Sequence, residues 1–344
     1  MSRSWKPHSR SRSGHPRGYG RGGHRDRDAK TPMELIASVS RSSGLEKDGD
    51  TLKDFKIQDD YLQFILKKVA QLSPLGIAER TDKRRNEEEN VLILFSEPQC
   101  NTSRGLAPDR VYLSPGKLRE GISSSNRQDA FTLKVYETSL FMAAIFDSQK
   151  QLNSIVPQLP SLHDSVSTTA HLISLVHYLT DQYPRQGVFQ QHLDLLPSSF
   201  LPRGSEARKW ITSVSASLRT HNYVKFAELT HPDAFSHFVV GEGDPSPSAN
   251  DSAARLALQA VVDSLRRKSR DDTWSILRTS YREWSCQDGF DWTRTWLEKC
   301  LVLRSVSPHG QNMTAEQWLE GHAKDDHVRP REGIDGRWIV CKPR

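Results

Sequence analysis

The residues of this chain best suited to chemistry are cationic rather than catalytic. Near the N-terminus, Arg10-Ser11-Arg12-Ser13 forms an Arg-Ser run. Gly18-Tyr19-Gly20-Arg21-Gly22-Gly23, flanked by Arg17 and Arg25, is an Arg/Gly-rich stretch. Guanidiniums pair with phosphates, and a tyrosine ring set among them can stack on a base, so the pattern fits single-stranded nucleic acid. The same composition also serves as a solubilising tail or a nuclear-localisation signal. Phosphorylation of its serines would reverse the local charge and weaken polyanion binding. A second cationic group, Arg266-Arg267-Lys268-Ser269-Arg270, falls at the end of a predicted helix. There it either meets phosphate or complements the negative end of the helix dipole, with Asp271 and Asp272 partly neutralising it.

Signatures of catalysis and cofactor binding are missing from the sequence. It contains no GxSxG, HExxH or phosphate-binding GxxxxGK[ST] pattern. Gly241-Glu242-Gly243-Asp244 lacks the following Gly-Lys-Ser/Thr and reads as a loop. His171 and His177 are six residues apart, as are His231 and His237, which on a helix turns the two rings about 120° from each other. Asp325-Asp326-His327 could touch a metal but reads as a solvated turn. No cofactor, metal or small-molecule substrate is expected, and the protein reads as a non-enzyme.

The 344 residues suffice for two modest domains and a tail. The hydrophobic fraction of 35% is low for a wholly globular chain, which predicts disordered stretches. Residues 1–30 hold nine Lys/Arg against two Asp, a charge of +7, so with +6 overall the other 314 residues sit near −1. The basic character is therefore that of a tail, and this is where a polyanion is attracted first. Cys100, Cys286, Cys300 and Cys341 show neither CxxC spacing nor a zinc-ligand pattern, consistent with a reducing compartment. No apolar run approaches the roughly 18 residues of a membrane span, and no apolar signal-peptide core is visible. An intracellular, soluble protein without membrane contact is expected.

The elements that must position these residues are mainly helical. Residues 1–30 form a disordered Arg/Gly/Ser-rich tail, since too little apolar surface is present to offset the ordering entropy. Residues 31–125 are a poorly defined helical and linker region. Tyr61, Phe64, Ile65 and Val69 predict a helix over about 55–72. Residues 83–89 read as a solvated charge run, residues 91–95 as a short strand or helix turn, and residues 98–125 as a linker or long loop.

From about 126 to 268 one amphipathic segment follows another. Residues 131–151 are strongly apolar, with a strand still possible at the start. Leu172, Val176, Leu179 and Tyr183 share a stripe on a helix that Pro184 ends. Trp210, Val214 and Leu218 share another. Asn222 suits an N-cap, and Pro232 suits the first turn of a further helix bearing Phe235 and Phe238. Residues 241–251 read as an exposed loop, followed by a helix over 252–268 with Leu258, Val261, Val262 and Leu265 on one face. Helices joined by short turns predict a stacked array or a bundle.

Residues 269–344 are rich in tryptophan (274, 284, 292, 296, 318 and 338), which reads as core more readily than as a base-stacking platform. Helices are predicted at 272–283, at 291–302 with Asp291 as cap, and at 314–322 with Thr314 and Gln317 as a capping box. A terminal strand is predicted at 337–342, with Trp338 and Val340 on one side and Ile339 and Cys341 on the other. Three helices and a strand fit a winged-helix-like module.

Three segments carry a resemblance to a known family. Asp129-Ala-Phe-Thr-Leu-Lys-Val-Tyr-Glu-Thr138 resembles the "EFTVKVYE" helix of the PCI-type proteins that include the mRNA-export scaffold GANP and its smaller transcription-elongation relatives. Leu218 to Leu229, with Asn222, Tyr223 and Phe226, is similar to that family's "NY.KFF.L" turn. Ala254-Arg255-Leu256-Ala257-Leu258 is similar to its "R..AL" helix. The match covers about 140 residues. Pro108-Asp109-Arg110-Val111 is a reduced form of the family's Arg/Pro-rich opening segment, and the cysteine-containing opening motif is missing. The resemblance implies a PCI-like helical-repeat array followed by a winged helix, acting as an assembly platform for another PCI subunit, a small acidic protein, or both. It also implies that the terminal strand offers an edge to a partner strand. With the tail, it leads to the expectation of a nuclear scaffold in mRNA biogenesis, transcription-coupled processing or export that binds RNA through residues 1–30. The alternative is a subunit of another PCI assembly, such as the proteasome lid, the signalosome or a translation initiation factor.

Overall fold

A computed structural model of the chain describes residues 49–71, 115–162, 166–239, 249–287, 291–306 and 312–342, together with Met33, Ile36, Ser38 and Val39. These residues are mainly helical, with one small antiparallel sheet near the C-terminus. The features expected at 1–30, 83–89, 91–95, 98–114 and 241–248 lie outside the described residues.

A first core is built around helix α1, Phe55–Gln71. Its Tyr61, Leu62 and Ile65 are buried with Leu52 of the preceding 3-10 turn and with Leu118 and Ile122 of α2, Pro115–Ser125. The last part of the stretch expected to be linker is therefore helix. Gly116, Gly121 and three serines masked the Leu118/Ile122 pair in the sequence. Gly121 is there because the turn packs onto it: a Cβ would sit 2.6 Å from the Leu52 carbonyl oxygen.

Helix α3, Ala130–Ile145, begins at Asp129, whose carboxylate accepts from the Thr132 amide at 3.0 Å. Val135 joins the first core, while Leu140, Phe141, Ala143, Ala144 and Ile145 join the central one. A helix covered on both sides has no polar stripe, so periodicity could not separate it from a strand; the backbone is helical from its first residue. Phe146 and Asp147, the latter at φ 50°, end it before α4, Gln149–Ile155.

Three further helices carry the array forward: α5 (Thr168–Gln182), α6 (Gly187–Leu195) and α7 (Glu206–Arg219). Ser167 and Ser205 cap α5 and α7 by accepting from the Ala170 and Arg208 amides. Leu172, Val176, Leu179, Tyr183, Trp210, Val214 and Leu218 are all buried, as their spacing predicts. Asn222 caps α8, Tyr223–Leu229, through the Lys225 amide at 3.1 Å. Pro232 opens α9, Pro232–Phe235, which passes into a 3-10 turn at Ser236–Phe238.

The central element is α10, Ala249–Ser280, 32 residues and about 48 Å long. Two helices were expected here, with a break near 269–271. Without Gly or Pro between 249 and 280, nothing stops the first one, and the expected boundary at 268/269 falls inside a single helix. The first half of α10 packs on α3 and α5 in the central core. Its second half contributes Trp274 and Leu277 to a third core.

That third core holds β1 (Glu283–Ser285), α11 (Asp291–Cys300), α12 (Ala315–Ala323), β2 (Val328–Pro330) and β3 (Arg337–Val340). Thr314 and Gln317 form the expected capping box. The sheet order is β1-β3-β2, all antiparallel, with Trp284 facing Trp338 and Pro330 facing Trp338 across the two ladders. The C-terminal strand is thus central and paired on both sides, so the expectation that its edge accepts a partner strand is corrected. Among the described residues, no helix is long and apolar enough to cross a membrane.

Candidate functional site

Of the residues expected to contact nucleic acid, Arg10, Arg12, Arg17, Tyr19, Arg21 and Arg25 lie outside the described residues. Arg266, Arg267, Lys268 and Arg270 do not stand at a helix end. They lie in the middle of α10, where the helix leaves the central core for the tryptophan-rich one.

Their side chains turn inward to the ends of other helices. Arg266 is 4% exposed and donates to the carbonyls of Thr230 (3.0 Å), Val302 (3.4 Å) and Arg304 (2.7 Å). Arg270, 9% exposed, donates to the carbonyls of Leu301 (2.8 Å) and Val302 (2.8 Å). Lys268 reaches the carbonyls of Thr180 (2.6 Å) and Asp181 (3.2 Å). These acceptors lie at the C-terminal ends of α8 and α5 and in the turn that follows α11, residues 301–304. One turn of cations on α10 therefore caps three other helices, each at the negative end of its dipole. Val302 closes α11 at φ 47°, an unfavourable conformation for a β-branched residue, while its carbonyl accepts from both arginines.

Arg267 is partly exposed and paired with Asp147 at 2.9 Å and Asp263 at 3.6 Å, and Lys268 is exposed. Asp272 accepts from the Tyr183 hydroxyl at 2.7 Å; burial, reinforced by this carboxylate, pushes the phenol's pKa well up. Burial also lowers the Arg266 guanidinium to about 10, with Asp263 opposing and Arg270 adding to that shift. For Arg266 and Arg270 the expected phosphate contact is corrected, because both are buried and committed to carbonyls; Arg267 and Lys268 stay at the surface, paired with Asp147 and with the α5 carbonyls. The sequence could not reveal this, because the acceptors lie 30 or more residues away along the chain.

Trp274, Trp284 and Trp338 are buried, as the core reading predicts. Trp274 packs at a tilt against Trp284 at 5.2 Å and meets Trp318 edge-on at 5.8 Å. Trp292 differs, being 70% exposed on α11. Four residues on, Trp296 packs edge-on against half-exposed Tyr281 at 5.5 Å. The i,i+4 tryptophan pair was the available signal for an exposed aromatic strip.

The expected separation of His171 and His177 holds. His171 packs on Phe200 at 3.8 Å, and burial lowers its pKa to about 4. His177 pairs instead with Asn153 at 2.9 Å. His231 and His237 meet different carboxylates, Asp233 and Glu206. Burial pushes the Cys286 and Cys300 thiols up to about 11, unlike reactive thiolates.

A convergence the sequence reading missed is that of His322, Asp325 and His327. His322 lies in the last turn of α12, with Asp325 and His327 in the turn to β2. The two Nδ1 atoms are 3.1 Å apart, and His322 Nδ1 is 3.8 Å from the Asp325 carboxylate. Trp274 Nε1 donates to His327 Nδ1 at 3.3 Å, and the ring of Trp274 stacks on His322 at 4.8 Å. The spacing H-x2-D-x-H was the overlooked signal, since attention to Asp325-Asp326-His327 left out the helix residue.

Compared with known proteins, the chain matches no family model, no curated protein and no solved structure.

Proposed function

We propose that this protein is a non-enzymatic, PCI-type scaffold of the nucleus that holds partner proteins and RNA in mRNA biogenesis, transcription-coupled processing or export. The observation that carries the reading is the order of elements around α10. A helical array packs on the first half of α10, and its second half opens a unit of order helix–strand–helix–helix–strand–strand. That order is the one a helical-repeat array followed by a winged helix would have.

The capping cations support rigidity across the join. A platform that holds two partners at a set distance needs its array and its terminal unit to move together, and Arg266 and Arg270 tie α8 and α11 to one helix. The partners proposed are another PCI subunit, a small acidic protein, or both. RNA is assigned to the basic stretch within residues 1–30, because the cationic cluster of α10 is spent internally.

The test is affinity purification of the full chain from nuclear extract, with and without nuclease, read by mass spectrometry. A PCI subunit and a small acidic protein retained after nuclease support the proposal. Subunits of the proteasome lid, the signalosome or a translation initiation factor would overturn the function while leaving the architecture. Deleting residues 1–30 should abolish RNA recovery and leave protein partners bound.

A further inference from the structure

The geometry points to a divalent transition-metal site, of the type zinc occupies, formed by His322, Asp325 and His327 at the turn between α12 and β2. Each residue offers one ligand atom, and the three atoms lie within 4.8 Å of one another. A tetrahedral zinc ion with ligands at about 2.0–2.1 Å sets neighbouring ligand atoms roughly 3.3–3.4 Å apart. The distances here, 3.1 Å between the two Nδ1 atoms and 3.8 Å from His322 Nδ1 to Asp325 Oδ2, bracket that value. Two imidazole nitrogens so close must share either a proton or a cation. The adjoining carboxylate favours the cation, since it adds a third donor and a negative charge that two neutral rings sharing a proton do not need.

The backbone holds the donors in place. His327 N–H donates to the His322 carbonyl at 3.0 Å, Asp326 turns the chain at φ 56°, and the Cys341 amide ties the His327 carbonyl to the end of β3 at 2.9 Å. Trp274 and Trp318 pack on the His322 ring at 4.8 and 4.3 Å. Asp325 lies on the solvent side, so ions have a way in and a water can complete the coordination. Of the charges nearby, Arg278 donates to the Cys341 carbonyl and Asp271 adds negative potential. One contact opposes binding: the ion takes the His327 lone pair to which Trp274 Nε1–H donates at 3.3 Å, a long bond that binding gives up. The ion would fasten the end of α12 to the sheet, so its effect is on the stability of the C-terminal unit.

The experiment uses the full chain, stripped with chelator and titrated with Co²⁺ and then Zn²⁺. The expected result is one equivalent of Co²⁺ with the ligand-field absorption of a low-coordinate site, displaced by Zn²⁺, and a rise in Tm on Zn²⁺ addition. Asp325→Asn removes an exposed ligand without touching the core and should weaken Co²⁺ at least tenfold and abolish the Tm rise. His322→Gln should remove the absorption band. Absence of the band at stoichiometric Co²⁺ overturns the site. Equal uptake by the parent and Asp325→Asn also overturns it, placing the ion on other histidines of the chain.

Discussion

Replacing Arg266 with methionine separates a capping role from a phosphate contact, because the two predict opposite results. Methionine keeps most of the apolar stem but removes every donor. Two strong acceptors then lose their partner, the carbonyls of Thr230 (3.0 Å) and Arg304 (2.7 Å), whereas Val302 keeps Arg270 at 2.8 Å. A hydrogen bond to a charged group contributes about 1.5–3 kcal/mol net. That net value already contains the desolvation of the guanidinium, so two lost bonds are expected to destabilise the fold by about 3 kcal/mol or more, read as a lower urea midpoint at unchanged slope. Arg267→Met removes only a partly exposed ion pair and should shift stability by at most about 0.5 kcal/mol. In RNA binding, neither variant should alter the salt dependence, whereas loss of a phosphate contact lowers that slope by about one. An Arg266→Met protein with an unchanged midpoint and a reduced salt slope would refute the capping account.

Three other outcomes follow from the packing. Gly121→Ala drives a methyl into the Leu52 carbonyl and Cβ, at 2.6 and 2.9 Å, and should cost about 1–3 kcal/mol in chemical denaturation by displacing the 49–53 turn. Thr314→Ala removes the acceptor for the Gln317 amide and should cost about 1 kcal/mol, seen in the same assay. His171 is buried as the neutral ring, with its pKa lowered to about 4 from 6.5, so the unfolded chain binds its proton first as pH falls. Its contribution is complete above about pH 6.5 and is lost between there and pH 4, amounting to about 3 kcal/mol. His171→Leu should flatten the measured stability–pH curve in that window.

The sequence by itself determined the helices with one polar and one apolar face, together with their caps. Asn222 and the Thr314/Gln317 box mark their helix starts through bonds three residues long, and Pro232 marks its own through a fixed φ, all of them local and legible without a fold. The stripe on α7 was readable because its other side, at Lys209, Thr212 and Ser213, meets solvent. Where both sides are covered, as in α3, periodicity vanishes and helix could not be told from strand. The short α2 was hidden in part by Gly121, whose reason is Leu52, more than 60 residues away.

Tertiary structure alone decided what the charges do. Arg266, Lys268 and Arg270 looked like a patch awaiting phosphate, yet their acceptors are helix-end carbonyls brought in from residues 180–181, 230 and 301–304. Likewise, His322 and His327 are ordinary in the sequence and meet only because the turn after α12 folds back toward β2. A side chain's type sets which bonds it can make, but long-range packing sets which partner is within about 3 Å, and a buried cation takes the nearest unpaired carbonyls because leaving them bare costs more.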